Sequence, residues 1–411
     1  MIGRSSAAAA LAAVAILLAP AIARAEFPTL QQVIERARTR GPASLVAAAD
    51  VRVAGSTRYA AGLPPMTNPY LEVFVDRGKN TSGFATVQAN LWLPVELSGV
   101  RGKRIAEVDA MVQWKQIARS SAQANAVGEA VTAYGELMVA AARKRHAADG
   151  EKVAREEAAY VLGRFQAKDA TEVDRAQAEG EVARWLQMKS EAELSFALSK
   201  ARLAIATGDP SLEDPPAVVS TDLPALKSKD GEALAKYLLE NSPAVKQHAL
   251  EADYFDKSKD KWEADKYPPV NFIITAGRGD AGDVRFGGGL SWTFPVLRRN
   301  QSEIARADAD ADRAKGNLEI AKASVLARAK GFFLAYDVAR KAVSTIDSIA
   351  IPAAQAVVDA SVAAWKAGKV EQSRVFLARR DLATARDRRL DIIAVGWRAY
   401  GDLAGLVGEM P

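Results

Sequence analysis

The sequence predicts a mainly α-helical fold with a small β part, built from one unit that occurs twice. The first observation behind this is an internal repeat at a shift of about 200 residues in a chain of 411. Pro42 in Arg40-Gly41-Pro42-Ala43 answers to Pro243 in Asn241-Ser242-Pro243-Ala244, and Leu93-Pro94-Val95 to Phe294-Pro295-Val296. Ile105-Ala106-Glu107-Val108-Asp109 answers to Ile304-Ala305-Arg306-Ala307-Asp308, Ala133-Tyr134 to Ala335-Tyr336, and Ala206-Thr207-Gly208-Asp209 to Leu406-Val407-Gly408-Glu409. These landmarks keep their order, which chance does not supply. The second observation is a pair of very long stretches almost free of helix breakers. The third is a pair of short alternating segments in each half.

Residues 1–25 read as a signal peptide rather than as part of the fold. Arg4 supplies the positive region, Ala7 to Leu18 an apolar run of about 12 residues, and Ala23-Arg24-Ala25 a cleavage site. The run is too short for a membrane span, which needs roughly 20 residues. No later stretch reads as a transmembrane helix, so the protein is expected to be exported without a helical anchor.

The first repeat is expected over 26–209, a linker over 210–230 and the second repeat over 231–411. Each repeat opens with a short helix, Leu30–Arg40 and Glu232–Glu240, stopped where Pro42 or Pro243 begins a second helix. Those second helices run to about Gly62 and Lys266. Leu63-Pro64-Pro65 and Tyr267-Pro268-Pro269 end them and prepare an extended chain.

Two strands follow in each repeat, with hairpins at about 70–93 and 270–294. Val87-Gln88-Ala89-Asn90-Leu91 alternates apolar and polar residues, the period of a half-buried strand. In its counterpart Phe286, Leu290, Trp292 and Phe294 share one face, and Gly287, Gly289, Ser291 and Thr293 the other. Tyr70–Asp76 and Val270–Arg278 are the partner strands, joined through the Gly-, Asn- and Asp-rich loops Gly78–Gly83 and Gly279–Asp283. Their lengths approach the 9–11 residues of a tilted membrane-crossing strand.

A helix of about 95 Å is expected from Arg101 to Phe165, where no Pro occurs. Its counterpart, Gln301 to Ala367, is interrupted only by Pro352. After turns at Gln166–Ala170 and Gly368–Val370, return helices run over Glu172–Ala206 and Glu371–Leu406. Gly208 and Gly408 stand where a helix C-cap favours glycine.

Composition excludes several functions. Cysteine is absent, so disulfides, thiolate metal sites, a Cys nucleophile and a lipidated N-terminal Cys are ruled out. The formal charge of +5 falls to about +3 without Arg4 and Arg24, and its charges are interspersed, so no nucleic acid partner is expected. His146 and His248 stand far apart with no spaced companions, which argues against a His-based catalytic or metal site. No G-x-S-x-G element occurs either. The chain is expected to be no enzyme, with no cofactor.

Four strands per chain cannot close a barrel, and open sheet edges are not tolerated in hydrocarbon. The strands therefore predict an outer-membrane β-barrel shared by a trimer, three chains giving twelve strands. The long helices would then form an α-helical barrel in the periplasm.

Several residues make the chain resemble the outer-membrane efflux proteins of the TolC type. They are Asn68-Pro69 before the first strand, Leu93-Pro94-Val95-Glu96-Leu97 and Arg101-Gly102-Lys103-Arg104-Ile105-Ala106. The second repeat adds the run from Phe294 to Ile304, Ala367-Gly368-Lys369-Val370 and the helix Val375–Leu406. The Pro-Val-Glu-Leu and Arg-Gly-Lys-Arg elements look most like the branch serving heavy-metal resistance pumps, the CzcC-like proteins. The resemblance spans the whole mature chain, through short motifs whose order carries the weight. It implies a passive channel, a homotrimer in outer-membrane lipid, docked to a periplasmic adaptor protein and an inner-membrane efflux pump.

The docking tips it implies are the two long-helix turns. Leu162, Gly163, Arg164, Lys168 and Asp169 form the first, and Lys366, Gly368, Lys369, Glu371 and Arg374 the second. Charges on such turns also serve simply to solvate them. Asp308 and Asp312 share a helix face and would give a lumenal acidic ring under trimer symmetry. A solvated face beside Arg306 and Arg313 explains them as well. The competing reading is a periplasmic helical scaffold or adaptor, which has no use for membrane-length alternating strands.

Overall fold

In the computed structural model, residues 27–64, 67–77, 85–216 and 220–411 are described. The expected signal peptide, Pro65, the Gly78–Gly83 loop and part of the linker lie outside them. The first half runs α1 (Leu30–Arg40), α2 (Pro42–Ala61), β1 (Tyr70–Asp76), β2 (Thr86–Val95), α3 (Val100–Gln166) and α4 (Glu172–Thr207). The second half repeats that order as α5 (Gly231–Asn241), α6 (Pro243–Ala264), β3 (Val270–Arg278), β4 (Val284–Trp292), α7 (Gln301–Thr345), α8 (Ile351–Lys366) and α9 (Gln372–Val407). A π-helical turn, Ile346–Ala350, joins α7 to α8.

Local chemistry sets these ends. Thr29 caps α1 through a capping box with Gln32, and Thr171 caps α4 with Asp174. Pro42 and Pro243 occupy first helical turns, where the missing N–H costs nothing. Gly208 and Gly408 close α4 and α9 in the left-handed conformation, at φ of 63° and 81°.

Pro352 explains the π turn. Its ring cannot donate a hydrogen bond and collides with the carbonyl one turn back, so the helix widens just before it and continues. The second long helix is thus one 66-residue rod with a defect, whereas α3 runs 67 residues, about 100 Å, without one.

The elements pack as a ribbon four wide in each layer. The sheet order is β1-β2-β3-β4, all antiparallel. Below it α2, α3, α6 and α7 lie side by side, and farther down α4, α3, α9 and α7–α8. Short helices α1 and α5 pack across the middle, against α3 and α7. The main core sits there: Val127, Val131, Tyr336, Ile393, Trp397 and Tyr400 form one cluster, and Val33, Ala37, Ala130, Leu137 and Leu203 another. Close approach of α3 to α9 depends on glycine, since a Cβ on Gly128 would lie 2.8 Å from the Gly401 carbonyl oxygen.

Among the described residues, every layer leaves the same two flanks without a neighbouring element. One flank is β1, α2 and α4, with Val53, Tyr59, Leu194, Leu198 and Ile205 exposed. The other is β4, α7 and α8, with Ile320, Leu334, Val338, Ile349 and Val357 exposed. This corrects the expectation that no later stretch approaches a transmembrane helix. The α7–α8 rod contains a stretch long and apolar enough to cross a membrane, and almost none of it is buried. Length and composition suffice for a span, but the stretch lies on an apolar flank of the ribbon, where packing against another chain would explain it equally.

Candidate functional site

The sheet separates two chemistries. Strand pairing puts directly opposed residues on one face, so the register defines both faces. One face carries Leu71, Val73 and Val75 of β1, Val87, Ala89, Leu91, Leu93 and Val95 of β2, Phe272, Ile274 and Ala276 of β3, and Phe286, Leu290 and Trp292 of β4. Arg278, at the loop end, is its one charged residue within the four strands. Along β3 this face is exposed while the opposite face is half-buried, so the apolar side is the convex one. Phe286 is 83% and Leu290 69% exposed.

The concave face carries a polar network. Asn90 Oδ1 accepts from the Thr275 hydroxyl at 3.0 Å and from Gln88 Nε2 at 2.9 Å. Trp92 Nε1 donates to Glu72 at 3.2 Å and stacks on Tyr70. Gly287, Gly289 and Ser291 fall here as the alternation predicts, whereas Thr293 and Phe294 lie beyond the end of β4.

A buried ion pair ties the sheet to the helices. Arg104 is 5% exposed and donates to both Glu96 oxygens, at 2.7 and 3.0 Å, and to the Leu63 carbonyl at 3.3 Å. The two short motifs around Glu96 and Arg104 thus meet in one contact. Arg101 adds a bond to the Gly62 carbonyl at 2.9 Å. Both long helices leave this junction from a left-handed residue, Gly99 at φ 69° and Asn300 at φ 55°.

At the far end the two long-helix turns share one backbone pattern. Lys168 N–H donates to Phe165 O and Asp169 N–H to Arg164 O; Gly368 N–H donates to Trp365 O and Lys369 N–H to Ala364 O. Lys168 and Gly368 both take positive φ, 65° and 70°. That conformation costs glycine nothing and lysine about 1–2 kcal/mol. Side chains make the turns different. Arg164 Nη2 returns to the Asp169 carbonyl at 2.9 Å, and Thr171 N–H donates to Asp174 at 2.9 Å, which holds that carboxyl below its ordinary range. In the second turn Glu371 stands at the N-cap without a side-chain cap bond. Leu162, Lys168, Lys366, Lys369 and Arg374 are exposed, and Gly163 and Gly368 have open space where a Cβ would be.

Asp308 and Asp312 are not brought together as a pair. Asp308 turns to α6 and takes Lys259 at 2.6 Å, which holds its carboxyl low, while Asp312 is exposed. Asp310, between them, pairs with Arg313 at 3.0 Å and Arg306 at 3.8 Å.

Sequence reading missed the bridges between the two helical hairpins. Arg379 pairs with Glu157, Arg143 with Asp391, and Arg380 with Glu181 at 2.7 Å. Glu136 takes both Arg202 and Arg398. Between the hairpins lies a cleft of about 620 Å³ walled by Trp185, Phe376, Leu382 and Val358, with His146 at one side. Burial pushes the His146 imidazole below its ordinary value and the neighbouring Asp387 carboxyl above its own. Partners this far apart in sequence leave no local signal. Among the described residues no group of three or more His, Cys, Asp or Glu could hold a metal ion.

No protein-family model matches the chain. It is 23% identical over 343 residues to the cobalt-zinc-cadmium resistance protein CzcC of Cupriavidus metallidurans, covering 83% of this chain and 81% of that one. It is also 23% identical over 299 residues to the nickel-cobalt-cadmium resistance protein NccC of Alcaligenes xylosoxydans xylosoxydans, covering 71% and 66%. Among solved structures, CusC matches at a TM-score of 0.75 and 13% identity over 94% of both chains. The Campylobacter jejuni CmeC outer membrane channel matches at 0.75 and 14%, over 93% of this chain and 86% of that one.

Proposed function

We propose that this chain, which has the fold of the TolC-like outer-membrane efflux channels and CzcC-like relatives, is the outer-membrane channel subunit of a tripartite efflux system. Three copies close side by side, β4 of one pairing with β1 of the next, to give a twelve-stranded barrel continued by a helical tube. The observation that carries this reading is the sheet. Its convex face is apolar up to Arg278 at the loop end, its concave face carries the polar network, and among the described residues each edge strand pairs on one side only. Hydrocarbon accepts the first and requires that the last be closed. The apolar flanks of the helical layers support closure by the same neighbours.

Heavy-metal cations are the proposed cargo, because the names of the two curated relatives carry that resistance. In this reading the subunit is a passive duct, and energy would come from an inner-membrane pump through a periplasmic adaptor. A signal peptide at 1–25 would export the chain, and the repeats would span 26–209 and 231–411. A periplasmic scaffold is the weaker reading, since it leaves the convex apolar face exposed to water.

Native mass measurement of the detergent-extracted protein, followed by conductance in planar bilayers, tests the reading. A trimer that opens steady aqueous pores is expected. A monodisperse monomer retaining its β-structure overturns it.

The exposed long-helix turns are the proposed adaptor-docking tips. Arg164 also braces its own turn, so Lys369 and Arg374 make a cleaner test. Lys369→Glu with Arg374→Glu places acids at the start of α9, where the helix dipole tolerates them. Trimer assembly should stay intact, while adaptor cross-linking and metal resistance fall several-fold, because reversed charge opposes association. Unchanged cross-linking and resistance would leave these turns as solvated ends.

A further inference from the structure

The two helical hairpins meet along α3 and α9 through a ladder of charged rungs. Glu136 pairs with Arg398 at 2.9 Å, Arg143 with Asp391, and Glu157 with Arg379. His146 and Asp387 act on each other one turn along from Arg143 and Asp391, on the same faces of the same two helices. Of these rungs, theirs is the one whose base is not an arginine. The His146 ring meets Trp185 of α4 edge-on, with centroids 5.5 Å apart, and its Nε2 is buried without a hydrogen-bond partner. Trp185 is itself buried, seated on Gly150, where a Cβ would lie 2.2 Å from the indole. A protonated imidazole donates from both nitrogens, so Nε2 would become a buried donor on a charged ring with no acceptor. Such a group costs more than an unpaired neutral nitrogen.

We propose that His146 is a proton-operated release in this seam, so that acidification parts the two hairpins beside Trp185. This rests on the channel reading, in which parted hairpins would widen the periplasmic end of the tube. Burial holds the ring below its ordinary value; Asp387 on α9 and Asp149 on α3 pull the other way, and Arg386 on α9 reinforces burial. Arg143, Arg184 on α4 and Asp391 act on Asp387 in turn, and Asp359 and Lys366 of α8 line the same cleft. A histidine that protonates less readily in the fold than when free supports the fold fully above about pH 6.5 and loses that support as pH falls. The cleft of about 620 Å³ beside the ring lets water reach it once the helices separate.

The test uses the full-length protein, which has no native cysteine, spin-labelled at Glu191→Cys on α4 and Arg388→Cys on α9, both exposed. The distance between the labels should lengthen between about pH 8 and about pH 5, with a midpoint below the ordinary imidazole value. His146→Gln, with His146→Leu as a second replacement that cannot titrate, should hold the distance constant. Asp387→Asn removes the main attraction for the proton and should move the midpoint to lower pH. His248→Gln, at the other histidine of the chain, should respond as the parent does. A distance that stays fixed in the parent, or that lengthens equally in both His146 variants, overturns the release. Conductance in planar bilayers is recorded at the same pH values. Failure to form pores at either pH would count against the channel reading, whereas pores with an immobile seam would count against this release alone.

Discussion

Arg104→Met is expected to destabilise the assembled protein by about 3–5 kcal/mol, the usual cost of breaking a buried ion pair from one side. Glu96 would keep its charge in a site that is nearly closed to water and lose the two hydrogen bonds from the Arg104 guanidinium. The damage should be local in origin and wide in effect. Arg104 joins the end of β2, the first turn of α3 and the Leu63 segment after α2, so it fixes the angle at which the helices leave the sheet. Replacing both partners, Glu96→Leu with Arg104→Met, removes the carboxylate together with the guanidinium and should recover most of the loss. Heating or urea titration of the extracted assembly, followed by its dissociation, measures both variants. A double variant no more stable than the single one would show that the pair supplies geometry that apolar packing cannot replace.

That contact also shows what sequence reading reached and where it stopped. The motifs containing Glu96 and Arg104 were visible, but not that they bind each other, because the chain reverses between them at Gly99. Strands β1 and β3 were legible to the residue, since alternation is a local signal. β2 extends past the alternating run Val87–Leu91, and past the hairpin end expected near 93, to Val95, with Pro94 inside it. Proline fits because β1 has already ended at Tyr70, opposite Trp92, so no bond is lost on that side. β4 ends at Trp292, leaving Phe294 outside the strand assigned to it.

Helical signals behaved similarly. Pro352 marked an interruption in the second long helix, which the structure resolves as the π turn Ile346–Ala350 with the helix continuing beyond it. The tip turns were placed correctly as turns. Their shared backbone was hidden because Lys168 stands where the second copy has Gly368, so the residue that normally announces a left-handed turn is missing. The ion pairs linking the hairpins, such as Arg143 with Asp391, join residues almost 250 positions apart and have no sequence period to betray them.

Placing arginine on the convex face should separate the two sides of the sheet by energy. Ile274 lies in the central row, opposite Leu91 and Gly288, and Leu290 one row nearer the helices, opposite Phe272. If this face meets lipid, Ile274→Arg costs about 2–4 kcal/mol, and Leu290→Arg somewhat less as it nears the interface. Ser291 neighbours Leu290 in the chain but points to the concave side, opposite Asn271, where a wet lumen would hydrate a guanidinium. Ser291→Arg should therefore assemble almost normally and change conductance rather than stability. Heat-modifiable trimer in the outer-membrane fraction reports assembly, and urea unfolding from lipid vesicles reports the energy. The expected order of loss is Ile274→Arg, Leu290→Arg, then Ser291→Arg. Equal tolerance at Ile274 and Ser291 would mean that neither face meets hydrocarbon, and the apolar rows would then have to be covered by protein.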